Sequence, residues 1–182
     1  TEGFSGMSIA VNMSALQFRH PDLAGMILDI FQENGLDPGL GSLELELTES
    51  LLMKNVDGTI ATLNRLHESG VRFSLDDFGT GYSSLSYLKR FPIHSLKIDQ
   101  SFVRDLAANS DDASIVSAVI ALGHSLDMIV IAEGVETAEQ LHYLRKVKCN
   151  GMQGYLFSRP LPAEEMTRML RSGQTLDFGL ET

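Results

Sequence analysis

The sequence predicts an α/β fold, a parallel (β/α) barrel, from three observations: a recurring apolar run with a polar end, a helical segment between successive runs, and a matching length per unit. The runs are Met7–Val11 ending at Asn12, Leu43–Leu47 with Glu46 and Glu49 at its end, and Val71–Leu75 ending at Asp76 and Asp77. They continue with Ser95–Ile98 carrying Lys97 and Asp99, Met128–Ala132 ending at Glu133, and Met152–Phe157 carrying Gln153. Parallel strands in such barrels deliver their chemistry at their C-terminal ends.

The intervening helices follow from the 3.6-residue period. Pro21–Asn34 aligns Leu23, Ile27, Ile30 and Phe31 and stops at Gly35; Val56–Ser69 aligns Ile60, Leu63 and Leu66 and stops at Gly70. Asp111–Leu126 opens on acidic residues, which suit a helix N-terminus, and buries Ile115, Val119 and Leu122. Thr137 and Gln140 form a capping-box pattern ahead of the 141–147 helix, and Pro162 suits the first turn of a last helix reaching Gly173. No low-complexity linker divides the 182 residues, so one domain over 1–182 is expected.

An eight-unit barrel takes ~250 residues, about 30 per unit, so this chain supplies roughly six of the eight strand–helix units. An open arc of six strands leaves two bare edges. With Thr1 only a few residues before the first strand and no initiating Met, the expectation is an N-terminally incomplete domain, prone to low stability or to oligomerisation.

Composition excludes several function classes. A content of 43% hydrophobic and 21% charged residues suits a soluble globular domain, and no apolar run approaches the ~20 residues of a membrane span. The net charge of −10 argues against a surface that tracks a long nucleic acid, though not against a small phosphate ligand accompanied by metal ions. A single cysteine, Cys149, removes intramolecular disulfides and thiolate zinc clusters and points to a reducing cytoplasm. The five histidines have no paired zinc-ligand spacing, and no Ser or Cys occupies a nucleophile-elbow motif.

The polar strand ends each carry two readings. Adjacent carboxylates at Asp76 and Asp77 repel unless a cation or proton lies between them, but Asp followed by Gly79 and Gly81 also makes an ordinary turn. Alternation puts Glu44 and Glu46 on one face and Leu45 and Leu47 on the other. An inward Glu46 is costly unless paired or metal-bound, whereas an outward one is a solvated acid. Asn12 offers a hard amide oxygen but is also common at strand ends. Lys97, between Leu96 and Ile98, faces either solvent or the lumen, where it would stay protonated beside carboxylates. Glu133 and Glu136 bracket Gly134-Val135 after the most apolar strand. Glu133 is a candidate general base, and the alternative for the pair is the first turn of the next helix.

Taken together, VNMS at Asn12, ELTES at Glu46 and Glu49, DDFGTGYSSL at Asp76 and Asp77, LKIDQSFV at Lys97, AEGVET at Glu133 and Glu136, and GMQGYLFSRPL at Gln153 closely resemble the EAL-domain family, in order and spacing from about Ile9 to Leu161. The resemblance implies a modified TIM-type (β/α) barrel that hydrolyses cyclic di-GMP to linear pGpG with two Mg²⁺ or Mn²⁺ ions. It implies that Asn12, Glu46 and Asp76 bind a first ion, that Asp77 helps hold a second, and that Gln153 supports the second through its water. Lys97 would position the attacking water, and Glu133 would assist as base or metal ligand. Glu49 would anchor the Asp77–Ser84 loop, which carries Gly79, Thr80, Gly81 and Tyr82 and resembles a dimer-coupled switch. Glu136, Arg159 and Pro160 would lie on the substrate side. A homodimer, a cytoplasmic location and upstream sensor or diguanylate-cyclase-like domains are implied as well. The Glu-Ala-Leu signature of the family lies upstream of VNMS and is not in this chain. The alternative is a catalytically inactive module that binds cyclic di-GMP as a receptor.

Overall fold

A computed structural model describes residues 6–53, 55–79, 88–106 and 110–173. Six strands run through the described residues: β1 (Ile9–Asn12), β2 (Leu43–Thr48), β3 (Arg72–Phe78), β4 (Ser95–Ile98), β5 (Ile129–Ala132) and β6 (Gly151–Met152). They form one sheet in sequence order, and every neighbouring pair is parallel. The result is a curled half-barrel with helices on its outside, as the alternation of runs and helices predicts. The helices are α1 (Leu23–Glu33), α2 (Glu49–Leu52), α3 (Val56–Glu68), α4 (Gln100–Arg104), α5 (Ser110–Ser125), α6 (Ala138–Lys146) and α7 (Ala163–Ser172). None is long and apolar enough to cross a membrane.

Strand alternation separates a dry layer from a polar one. Leu45, Leu47, Phe73, Leu75, Leu96, Ile98, Val130 and Ala132 are buried on the helix side, where a Cβ at Gly123 of α5 would run into Val130. Burying each such leucine or phenylalanine stabilises the fold by roughly 1.5–3 kcal/mol. The alternate positions Glu46, Ser74, Asp76, Lys97 and Glu133 face the concave side. β1 and β6 are the two edges of the sheet. On β1, Ile9 and Val11 share the register of Leu43 and Leu45 but are 68% and 44% exposed.

The structure shifts several boundaries. β3 continues through both aspartates to Phe78, where the apolar pattern alone ends it at Leu75. The sixth run pairs only at Gly151–Met152. The chain then folds back, because Val135 donates its N–H to the Gln153 carbonyl and accepts the Leu156 N–H. Ile30 and Ile115, read as core, are 52% and 39% exposed, and Pro162 is the N-cap of α7 rather than its first turn. The short helices α2 and α4 carry too few residues to show a period.

Gly154 is required by this fold-back. A Cβ there would overlap the backbone nitrogen and oxygen of Val135. Gly154→Ala is therefore expected to destabilise the protein by about 1–3 kcal/mol, read from urea unfolding. An unchanged midpoint would show that the approach of the two segments is not tight.

Candidate metal and active site

The concave face carries a cluster centred on Lys97, which is 4% exposed. Its Nζ donates to Glu46 Oε1 at 2.6 Å and lies 2.6 Å from Glu133 Oε1 and 3.4 Å from Asp76 Oδ1. Register explains the meeting: Glu46 on β2, Asp76 on β3, Lys97 on β4 and Glu133 directly after β5 all occupy the rim at which parallel strands end. Burial alone would lower the Lys97 pKa, but hydrogen bonds to Glu133 and Glu46 hold it above the ordinary lysine value. Lys97 is thus a fixed ammonium.

Adjacent strand residues normally point to opposite faces. Asp76 and Asp77 escape that rule through a bulge. Leu75 pairs with Leu96 and Phe78 with Ile98, so three steps on β3 span two on β4. Asp77 takes the left-handed conformation at φ 54° that re-aims its side chain. Carboxylate oxygens of Asp76, Asp77 and Glu133 consequently lie within 4.8 Å of one another.

The electrostatics of the cluster are those of too many acids for one ammonium. Burial raises the Asp77 pKa, the Asp76 charge raises it further, and a side-chain hydrogen bond links Asp77 to Asp99. Burial also raises Glu133, against the pull of Lys97, with Asp76 and Glu46 adding to the rise. Asp99 goes the other way: burial opposes its ionisation, but hydrogen bonds from Ser101 and Asp77 hold its pKa down. Among the described residues Asp76 Oδ1 is buried without a hydrogen-bond partner, its 3.4 Å contact with Lys97 being ionic. A buried carboxylate oxygen without a donor, beside two other carboxylates, is a fitting environment for a hard divalent cation.

Other predicted residues sit apart from this centre. Asn12 is exposed on β1, level with Glu46 in the register. Glu49 is buried at the start of α2, and its Oε2 has no hydrogen-bond partner among the described residues. Gln153 and Glu136 line a cavity of about 250 Å³ beside Glu133, together with Gln100 and Tyr155. Arg159 stacks over the Tyr155 ring at 4.7 Å from its centre, and Pro160 is exposed. Gly79 ends β3 at φ 100° against the Phe102 ring. Thr80, Gly81 and Tyr82, with Ser84 at the end of the proposed switch loop, lie outside the described residues. Sequence reasoning left Asp99 out of the site, although its two-residue offset from Lys97 marked it. It also took Gln140 only as a helix cap.

A parallel half-barrel with a carboxylate cluster at the C-terminal rim of its strands is an α/β-barrel architecture with a candidate cation site. The EAL domain family model matches residues 1–160, and the chain belongs to that family. It is 48% identical over 164 residues to the bifunctional diguanylate cyclase/cyclic di-GMP phosphodiesterase MucR of Pseudomonas aeruginosa, covering 90% of this chain and 24% of MucR. The solved structure of the PaMucR phosphodiesterase in complex with c-di-GMP superposes with a TM-score of 0.83 at 49% identity, covering 87% of this chain and 64% of that one. The manganese and cyclic di-GMP complex of Klebsiella pneumoniae BlrP1 matches with a TM-score of 0.75 at 36% identity, covering 84% of this chain and 39% of the other. The chain spans about a quarter of the length of MucR.

Proposed function

We propose that this chain is the greater part of a cyclic di-GMP phosphodiesterase domain that hydrolyses its substrate to linear pGpG with two Mg²⁺ or Mn²⁺ ions. The observation that carries the reading is the Asp76–Asp77–Glu133 cluster around Lys97, with a buried Asp76 oxygen that has no hydrogen-bond partner among the described residues. Family membership and relatives that bind or cleave cyclic di-GMP support the substrate. Asn12, Glu46 and Asp76 are assigned to one ion and Asp77 and Glu133 to the other, with Gln153 beside the second. When bound, such ions polarise the phosphoryl oxygen and lower the pKa of an attacking water.

The protein's own groups do the rest. Lys97 keeps its proton and uses two N–H groups on Glu46 and Glu133, which leaves a third for the water or a phosphate oxygen. Glu133, its proton affinity raised by burial, accepts the proton of that water. The new bond joins water oxygen to phosphorus, the bond from phosphorus to the 3′-oxygen breaks, and the proton taken up by Glu133 is passed on to that oxygen through solvent. Glu136, Arg159 and Pro160 flank the entering ligand. A homodimer, cytoplasmic placement and preceding sensor or cyclase-like domains complete the proposal; the named MucR function supports the last of these.

The test is turnover of cyclic di-GMP by this chain in Mn²⁺ and in Mg²⁺, with products separated by chromatography. Appearance of pGpG is expected. Binding of the dinucleotide without product, and without need of metal, would assign a receptor role in place of the enzyme.

A further inference from the structure

Gln140 is 4% exposed, and its side-chain amide is used at both ends. Oε1 accepts the Glu136 N–H at 2.7 Å and the Thr137 N–H at 2.9 Å. Nε2 donates to the Val103 and Arg104 carbonyls, at 3.1 Å each. A capping box accounts for the Thr137 bond alone. The Nε2 bonds reach the C-terminal end of a different helix, α4, and do nothing for α6 itself. That helix begins directly after Asp99, so the amide joins the chain segment leaving Lys97 and Asp99 to the one leaving Glu133.

We infer that Gln140 is a positioning residue for Glu133, clamping the 134–137 turn to the end of α4. Between Glu133 and the clamp stands Gly134, at φ 70°, the residue type with the widest backbone freedom. Glu133 donates its own N–H to the Ile98 carbonyl of β4 at 3.2 Å, and what holds residues 135 to 137 fixes the chain on its other side. Val135 is held on one side by the Gln153 carbonyl. On the other side Gln140 adds a hydrogen-bonded tie from this turn to the β4 unit. The inference rests on the metal-dependent reading given above, because it is through that reading that Glu133 has a task.

Two substitutions separate positioning from capping. Gln140→Glu keeps an acceptor for Glu136 and Thr137 but has no donor for α4 when ionised; Gln140→Met loses both. Mn²⁺ affinity, measured by calorimetry at mildly alkaline pH on folded protein, is expected to fall about ten- to a hundredfold in both, while Gln140→Glu still unfolds cooperatively. Wild-type affinity in Gln140→Glu would reduce Gln140 to a helix cap and overturn the inference, as would wild-type affinity in Gln140→Met. Should Gln140→Met fail to fold, Gln140→Glu decides alone. The unsubstituted chain is titrated first: if it takes up no Mn²⁺, the metal-dependent reading fails and the inference with it, whereas Mn²⁺ uptake that the variants leave unchanged overturns the inference alone.

Discussion

Replacing Lys97 by Met is expected to cost about 3–5 kcal/mol of stability near neutral pH, because one partner of a buried ionic cluster is removed and the others stay. Glu46, Asp76 and Glu133 would be left facing one another with side chains only 10%, 14% and 19% exposed. The pH dependence has a definite sign. Lys97 titrates above its ordinary 10.5 in the folded protein, so its contribution is complete below that value and is lost only as pH rises through the higher folded one. The wild type therefore keeps this term across the neutral range. In the variant Glu133, raised by burial and no longer lowered by the ammonium, binds its proton more tightly than it does unfolded. The variant's deficit should be small near the ordinary carboxylate range of about 4 and grow as pH rises to about 8. Divalent cations should recover part of the loss by neutralising the same cluster. Urea unfolding at several pH values, with and without Mn²⁺, measures all of this, and a variant as stable as wild type near pH 8 would show that Lys97 is not what holds the carboxylates together.

Glu133→Gln carries the second large effect. Its shape is nearly unchanged, but a neutral amide accepts no proton from water and ligates a cation weakly. Turnover of cyclic di-GMP is expected to fall about 10²- to 10⁴-fold, the usual worth of a positioned acid–base group. The loss should lie in kcat more than in KM, because Glu133, as the proposed base, would act on the attacking water rather than on the periphery of the ligand. Chromatographic product analysis at saturating substrate checks this. A variant with wild-type kcat would take the role of base away from Glu133 and return the residue to a structural ion pair with Lys97.

Much of this site was legible from two periodicities. Alternation placed Glu46 with Glu44 on one face, and the structure pairs Glu44 with Ser95 and Glu46 with Lys97 inside the half-barrel. The same alternation put Lys97 between two apolar neighbours and left open which way it faced; burial of Leu96 and Ile98 against the helices decided it. What alternation cannot carry is an irregularity. The bulge at Asp76 and Asp77 adds a residue to one strand of a pair, and no property of that strand's own sequence reveals its neighbour's register. The sixth run looked like a full strand because Tyr155, Leu156 and Phe157 are good strand formers. Its pairing stops after two residues because the Val135 turn binds the chain beyond. Ile30 matched the helical period of its neighbours but lies at the margin of the stripe, where α1 is uncovered. Gln140 shows the same limit from another side: the capping pattern is local, whereas its bonds to α4 span 36 and 37 residues.

The bulge on β3 also bears on how such a site is acquired or lost. Two neighbouring aspartates serve one centre only because β3 is a residue longer than β4 over that stretch. Only Asp76 and Asp77 lie between Leu75 and Phe78, so deleting a single codon there would restore regular alternation by removing one of the two carboxylates, with every other side chain of the cluster intact. Point substitutions can weaken the cluster by degrees; a change of length removes half of the aspartate pair at once. In descent, this strand should tolerate exchange of residue types more readily than insertion or deletion between Leu75 and Phe78.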